Sequence, residues 1–226
     1  EDHLVRKVKD STRERLYLRG PAEVSTQVTW VLERLERNPR RLPLRKKDGS
    51  EWTHRLEFDG PLPETVADTL SVLQSALTLV KREPLHVTVA LDFHTVPVDG
   101  VDPQEWPRTE VGSLVYRGKY RGNQEARASL SDRLADIATR HELYQATDLI
   151  LTVPGHDASR RSFGEQLAYE VAARIGVPIA KTECSLEQRP EAKSGLETAE
   201  LESLFSVDGS ARGRVVLIVD DVYRSG

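Results

Sequence analysis

The C-terminal stretch Gly213–Gly226 constrains this chain more than any other part of its sequence. Five consecutive apolar residues, 215–219, are mostly β-branched and too few for a helix with a polar side. They predict a strand buried on both faces, as is usual in parallel sheets. Asp220 and Asp221 follow directly, at the carboxyl end of this strand, where open α/β sheets bind their ligands. The sequence therefore predicts a parallel sheet with a ligand site at this edge.

The turn beyond the two acids favours an anionic ligand. Adjacent side chains on a strand point to opposite faces, so Asp220 and Asp221 serve one ligand only if the chain is already turning there. The small residues Ser225 and Gly226 fit such a turn. Its backbone N–H groups would form a nest for an anion such as a phosphate.

A second strand leads to a second predicted anion site. Residues 148–154, DLILTVP, have the pattern of a buried strand and run into Gly155, His156 and Asp157. An amphipathic helix follows, ends at Gly176, and precedes a third short strand at 177–180. Right-handed crossovers then make the sheet parallel, so the loops after the first two strands should converge on one crevice.

The first half of the chain predicts a smaller α+β domain. A helix begins at Pro21, a hairpin turns at Asp48-Gly49, an apolar stripe marks a helix over 66–80, and residues 85–93 alternate as a strand. The first 20 residues are charge-rich and only weakly periodic, so no element is predicted there. The Pro- and Asp-rich stretch 96–107 places a boundary near 105. An accessory domain, 1–105, would thus precede a ligand-binding domain, 106–226.

Composition indicates a globular cytoplasmic protein. The 226 residues are 38% hydrophobic and 30% charged with a net charge of −4, and no apolar run approaches a membrane span. The single cysteine, Cys184, cannot form an internal disulfide, and no export signal leads the sequence, so a reducing cytoplasm is expected. Met is absent and the sequence stops inside a ligand turn, so we expect a chain that continues beyond both ends.

The segment VVLIVDDVYRSG resembles the phosphoribosyl-pyrophosphate signature of type I phosphoribosyltransferases. In that signature an apolar strand is followed by two acids and a turn rich in Thr, Ser and Gly. The usual turn reads Thr-Thr-Gly, whereas this chain has Arg224, Ser225 and Gly226.

A longer set of motifs resembles the ComF-like group within that family, which is associated with competence and DNA uptake. The matching segments are Lys119-Tyr120-Arg121-Gly122, Val153-Pro154, Arg160 to Gln166, and Asp220 to Tyr223. They extend over about residues 112–226, whereas residues 1–105 resemble no family known to us. Phe163-Gly164 inverts the group's Gly-Phe, and Glu165 stands where Asn is usual.

The resemblance implies a phosphoribosyltransferase-like, Rossmann-like α/β domain that binds phosphoribosyl pyrophosphate with Mg²⁺. It would transfer the phosphoribosyl group to a nucleobase or nucleotide-like acceptor and release pyrophosphate. Asp220 and Asp221 would hold the ribose hydroxyls and approach Mg²⁺ through water. The implied substrate-binding residues are Val222, Tyr223, Arg224, Ser225, Gly226, Pro154, Gly155, His156, Asp157, Arg160, Arg161 and Lys119.

The sequence also allows other interpretations of its function. A module that senses phosphoribosyl pyrophosphate or a nucleotide without transfer, linked to DNA uptake or nucleic-acid metabolism, is the main alternative. A nucleotide hydrolase is disfavoured because no G-x-x-x-x-G-K-[ST] loop occurs. Nucleic-acid binding by the basic residues within 37–47 has weak support, since no aromatic residues alternate with them. No membrane partner is expected, and homo-oligomerisation is undecided.

Overall fold

The computed structural model describes residues 2–8, 11–45, 49, 51–79, 87–157, 160–185, 204–207 and 209–222. The chain divides into two compact units. The first unit contains residues 1–91 and 140–145, and the second contains residues 92–139 and 146–226. The sequence-based boundary near 105 falls within the second unit.

The first unit is built on a four-stranded antiparallel sheet in the order β1-β2-β4-β3. Two amphipathic helices bury their apolar stripes with this sheet in one core, which includes Leu16, Val28, Leu56, Phe58 and Leu73. Its elements are β1 (Asp2–Lys7), β2 (Arg13–Arg19), α1 (Ala22–Arg34), β3 (Arg40–Arg41), β4 (His54–Asp59), α2 (Glu64–Ser75), β5 (Leu77–Thr78) and β6 (Val89–Ala90).

The first unit differs from its sequence prediction at three places. Of the strand predicted at 85–93, the described residues contain only Val89–Ala90 as a strand, and residues 91 and 92 form a bend. Strands β1 and β2 pair antiparallel, although no element was predicted in this charge-rich region; Leu16, Tyr17 and Leu18 of β2 are all buried. Leu77 lies in β5 and not in α2, because the backbone becomes extended at Ala76. The predicted helix at 21–35 and the antiparallel pairing of β3 with β4 are confirmed. Val80 and Asp48 lie outside the described residues.

The second unit is a mixed α/β structure with a three-stranded parallel sheet in the order β11-β7-β8. A two-stranded antiparallel pair, β9 with β10, accompanies it. The remaining elements of the chain are α3 (Glu110–Arg121), α4 (Gln124–Arg140), α5 (Glu142–Gln145), β7 (Leu149–Thr152), α6 (Phe163–Ile175), β8 (Ile179–Ala180), β9 (Thr182–Cys184), β10 (Phe205–Val207) and β11 (Val216–Val219). The predicted parallel sheet is thus confirmed. Within the described ranges, every helix is too short or too polar to traverse a lipid bilayer.

The two strands that lead to the predicted site, β7 and β11, differ in burial. All four residues of β7 are buried, as predicted, because β7 lies between β11 and β8. The prediction that β11 is buried on both faces is wrong. Ile218 is 48% exposed and Val215, just before the strand, is 46% exposed. In the described part of the chain β11 pairs on one side only, so it is an edge strand.

Helix α6 has strong signals at both of its ends. Ser162 is the N-cap and forms a reciprocal capping box with Glu165, while Gly176 ends the helix in the left-handed conformation at φ 72°. The buried face carries Phe163, Leu167 and Val171 and packs on the parallel sheet. This placement brings the first turn of α6 to the carboxyl edge of the sheet, since β7 leads into it.

Candidate functional site

The site predicted from the sequence lies where β7 and β11 end. The two strands are parallel neighbours, and Val219 pairs with Thr152. The chain therefore leaves the sheet at Val153 and at Asp220 side by side, on the edge where parallel sheets bind ligands. The acid pair and the loop after β7 are brought to the same edge, as the sequence predicts.

Asp220 lies against the first turn of α6. A Cβ atom built on Gly164 would stand 2.5 Å from Asp220 Oδ1, so the glycine is what allows the carboxylate to approach the helix so closely. The same oxygen accepts a hydrogen bond from the Asp221 N–H at 2.8 Å, which fixes the turn after β11. Asp220 is exposed to solvent. A solvent-facing carboxylate is thus held at a defined point of the edge.

Asp221 is held differently, by an ion pair with helix α3. Lys119 Nζ donates to Asp221 Oδ2 at 2.6 Å. The Asp221 side chain is only 11% exposed and that of Lys119 is 36% exposed, so the pair is partly shielded from water. Screening is weaker there than on an open surface, and the charge-assisted bond gains strength. Lys119 therefore anchors Asp221 across 102 positions of sequence.

A glycine in α3 makes this ion pair sterically feasible. A Cβ atom on Gly118 would lie 2.5 Å from Phe163 Cζ, so the α3 backbone packs directly on the ring of the first residue of α6. Glycine inside a helix costs about 1 kcal/mol relative to alanine, and here the close packing offsets that cost. The contact places the next residue, Lys119, beside the acid pair.

The start of α6 contributes positive potential at the same edge. Ser162 Oγ accepts a hydrogen bond from Glu165 N–H at 3.1 Å, and Glu165 Oε2 accepts one from Ser162 N–H at 2.7 Å. The N–H groups of Phe163 and Gly164 precede the first intrahelical hydrogen bonds and point towards the edge. A helix N-terminus favours negative charge, which accounts for the position of Asp220 and suits an anionic ligand.

The loop after β7 packs on the same helix start. Pro154 and Gly155 are half-buried, and a Cβ on Gly155 would come within 2.7 Å of Ser162 Cβ. His156 is exposed and Asp157 is half-buried. The loop therefore lies at the N-terminus of α6, as a convergent site requires.

The two arginines before α6 already have partners within the second unit. Arg160 Nε lies 3.3 Å from Asp157 Oδ2, in an ion pair whose arginine side chain is 82% exposed. The Arg161 guanidinium lies 4.1 Å from the centroid of the Tyr169 ring. Both contacts are at the surface, where such pairs stabilise little, so an anion could replace them.

Four of the predicted site residues, Tyr223 to Gly226, lie outside the described residues, and Val222 is half-buried after the acid pair. The sequence prediction missed Gly164 and Gly118. The motif S-x-x-E at 162–165 marks the start of α6. No neighbouring residues indicate that a glycine is needed to let a carboxylate from a distant part of the sequence approach the helix. Only the tertiary contact identifies these two positions.

The donor set at the edge is compatible with Mg²⁺ that keeps most of its waters. Among the described residues no cluster of three or more His, Cys, Asp or Glu side chains could hold a metal by itself. Mg²⁺ prefers waters and phosphate oxygens with one or two carboxylates. Asp220 is the exposed carboxylate of the pair, whereas Asp221 is already bonded to Lys119. Asp220 is thus the residue that fits a hydrated ion brought by a phosphate ligand.

Among the residues that the structure describes, the groups with clearly shifted pKa values lie in the first unit. Burial lowers the pKa of His141 to about 4, from an ordinary value of 6.5, and burial raises the pKa of Tyr144. His141 is fully buried, and its Nε2 lies 2.8 Å from Gln27 Oε1. A neutral imidazole donating to an amide oxygen in a core is a structural arrangement, so neither residue marks a second site.

No protein-family model matches this chain, and no curated protein sequence matches it significantly.

Proposed function

We propose that the second unit is a phosphoribosyltransferase-like domain that binds phosphoribosyl pyrophosphate with Mg²⁺ and transfers the phosphoribosyl group to a nucleobase or nucleotide-like acceptor. The observation that carries the proposal is the position of Asp220, an exposed carboxylate at the carboxyl end of a parallel strand and at the N-terminus of α6. The resemblance of residues 112–226 to the ComF-like group supports it. A cytoplasmic location follows from the proposed substrate.

The described residues have different roles in the proposed function. Asp220 accepts hydrogen bonds from the ribose hydroxyls, because its carboxylate is exposed at the carboxyl end of β11. Asp221 and Lys119 keep the turn in place through their ion pair. The first turn of α6, with the loop from Gly155 to Asp157, presents N–H groups to the pyrophosphate. Tyr223 to Gly226 stay predicted ligands of the 5′-phosphate.

The proposed reaction requires that the protein stabilise the charges that develop in the transition state. Loss of pyrophosphate from the anomeric carbon passes through an oxocarbenium-like transition state, so negative charge builds up on the leaving group. The positive end of α6 stabilises that charge, and Asp220 stabilises the electron-poor ribose on the other side. Bound Mg²⁺ would neutralise pyrophosphate oxygens, with Asp220 accepting hydrogen bonds from its waters.

A sensing module that binds the same ligand without transfer is the second candidate. Arg224 stands where the family's turn has a small hydroxyl residue, which favours binding without turnover. Pyrophosphate release during incubation with phosphoribosyl pyrophosphate, Mg²⁺ and a set of nucleobases separates the two candidates. Release with one base supports the transferase, and binding without release supports the sensor.

Calorimetry tests the binding step directly. The wild type is titrated with phosphoribosyl pyrophosphate in the presence and absence of Mg²⁺, alongside Asp220→Asn and the control Asp99→Asn. Charge-assisted hydrogen bonds contribute about 1.5–3 kcal/mol, so Asp220→Asn should lower the affinity about tenfold or more. Asp99 is exposed on a loop and is not among the residues of the candidate site, so its variant should bind like the wild type. Equal affinity in the wild type and Asp220→Asn would refute the proposal.

A further inference from the structure

The outer face of α3 carries two tyrosines surrounded by cations. Tyr116 and Tyr120 are one helical turn apart, with ring centroids 5.5 Å apart and planes tilted by 41°. Arg108 lies 4.0 Å and Arg121 5.8 Å from the centroid of the Tyr116 ring. Lys119 Nζ lies 5.9 Å from the centroid of the Tyr120 ring. We call these five residues the tyrosine face.

Packing of α3 does not explain Tyr120. The helix buries Gly112, Leu114, Val115 and Gly118 on its inner side. Tyr120 is 66% exposed, the largest exposed fraction among the described large hydrophobic side chains. An exposed aromatic ring beside several cations is a typical surface for stacking a planar, electron-rich or anionic group.

Lys119 connects this surface to the acid pair. Its ammonium is within cation–π distance of the Tyr120 ring and donates to Asp221 Oδ2 at 2.6 Å. Asp221 is the neighbour of Asp220 in the turn proposed to hold the ribose. In any N-riboside the base is bonded to C1′, which is next to the carbon that carries the 2′-hydroxyl. Lys119 contacts both the Tyr120 ring and the turn proposed to bind the ribose. The Tyr120 ring therefore lies within reach of a base attached to that ribose.

We propose that Tyr120 is the stacking platform for the base of a nucleoside monophosphate, the product class of the proposed transfer. The proposal rests on the proposed function for the position of the ribose. Arg108, Lys119 and Arg121 supply charge complementary to a phosphate-bearing or electron-rich ligand. Tyr116 is already contacted by two arginines, which leaves one open ring for one base. A single strand of nucleic acid, in contrast, is held by successive stacking rings.

The test compares ligands with and without a base. Calorimetry measures the affinities of AMP, GMP, CMP, UMP and ribose 5-phosphate for the wild type, Tyr120→Leu, Tyr120→Phe and Phe93→Leu. The four nucleotides should bind the wild type more tightly than ribose 5-phosphate. Tyr120→Leu should lower nucleotide affinity about tenfold, as expected of one base–aromatic stack, and leave ribose 5-phosphate unchanged. Tyr120→Phe keeps the ring and should bind like the wild type.

The controls separate this inference from the proposed function. Phe93 is 59% exposed in the same unit but is not part of the tyrosine face, so Phe93→Leu should bind every ligand like the wild type. Nucleotide binding that depends on Tyr120, with no binding of ribose 5-phosphate or phosphoribosyl pyrophosphate, would support the platform and refute the proposed function. Unchanged nucleotide affinity in Tyr120→Leu would overturn the platform. So would much tighter binding of a ten-nucleotide dT strand than of dTMP, because it would indicate a nucleic-acid partner.

Discussion

Adjacent carboxylates in this chain occupy very different environments. Asp220 is exposed and lies on the first turn of α6, whereas the Asp221 side chain is 11% exposed and bonded to Lys119. The sequence alone does not distinguish the two carboxylates, because both directly follow the same strand. The structure exposes the Asp220 carboxylate at the edge of the sheet and bonds the Asp221 carboxylate to Lys119. Replacements of the two residues should therefore have different consequences.

Gly164→Ala tests the close contact of α6 with Asp220. The new Cβ would stand 2.5 Å from Asp220 Oδ1, so the carboxylate must move from its position at the edge. We expect the affinity for phosphoribosyl pyrophosphate to fall about tenfold, with little loss of stability because alanine favours the helix. Gly209→Ala is the matched control, since a Cβ at that position meets nothing within 4 Å. Wild-type affinity in Gly164→Ala would contradict this role.

His141 predicts a pH dependence of stability. Its pKa is about 4 in the folded protein and 6.5 ordinarily, so below pH 6.5 the unfolded chain binds a proton that the folded chain does not. The free energy of unfolding should therefore fall as the pH drops from about 6.5 to about 4, by about 3 kcal/mol from this residue, and should not change above that range on its account.

Urea denaturation of His141→Gln isolates this contribution. The wild type should be more stable than the variant at pH 7, and the difference should shrink by about 3 kcal/mol at pH 4, because glutamine does not titrate. His94→Gln removes an exposed imidazole and should parallel the wild type at every pH. A constant difference between the wild type and His141→Gln across the range would show that His141 is not buried in its neutral form.

At the scale of elements, a polar cluster joins α4 to α6. Arg127 Nε donates to Glu170 Oε1 at 2.5 Å, and its Nη1 donates to Gln166 Oε1 at 2.6 Å. Ser131, which is fully buried, donates to Glu170 Oε2 at 2.9 Å. Because Gln166 and Glu170 belong to α6, this cluster holds the helix whose first turn forms the candidate site.

Arg127→Ala tests the cluster. It leaves Gln166 without its arginine partner and the Glu170 carboxylate with the longer arginine contact, to Arg174 Nη1 at 3.4 Å, so we expect a loss of about 1–3 kcal/mol in the free energy of unfolding. Arg133→Ala is the control, because its ion pair with Glu110 is exposed and should contribute at most about 1 kcal/mol. Urea unfolding monitored by circular dichroism measures both. Equal stabilities of the two variants would show that the α4–α6 cluster contributes no more than a surface pair.

The elements that were predictable are those with complete local signals. Helix α6 has a capping box, an apolar stripe and a terminal glycine, and β7 is a short apolar run, so both were predicted correctly. Strand β1 was missed because its polar residues carry no alternation that a local pattern can detect. The exposure of Ile218 depends on which strands pair beside β11, and the Lys119–Asp221 bond joins distant residues. Such facts arise only from tertiary packing.

At the scale of the whole molecule, the first unit is discontinuous in sequence. Residues 140–145, from the last residue of α4 to the end of α5, belong to it, whereas the rest of α4 belongs to the second unit. Glu142 N–H donates to Thr69 Oγ1 at 3.2 Å, and Leu143 packs against the first core. His141 lies within hydrogen-bonding distance of Gln27. A domain cut at residue 105 would remove this segment from the core it completes, which no boundary signal in the sequence indicates.

Two fragments test whether residues 140–145 complete the first unit. The first contains residues 1–91, and the second adds residues 140–145 after a flexible Gly/Ser linker of about twelve residues. In the full chain Gln27 is 3% exposed and Thr69 is fully buried. The short fragment removes the contact of Gln27 with His141 and that of Thr69 with Glu142. It also uncovers the core beside Leu143. A buried hydrogen bond contributes about 0.5–1.5 kcal/mol and burial of a leucine side chain up to about 3 kcal/mol, so the linked fragment should be more stable by a few kcal/mol. Urea midpoints measure the difference, and His141→Ala with Leu143→Ala in the linked fragment should remove most of it. If the two fragments unfold at the same urea concentration, the segment contributes nothing to the first unit, and that unit ends at Leu91.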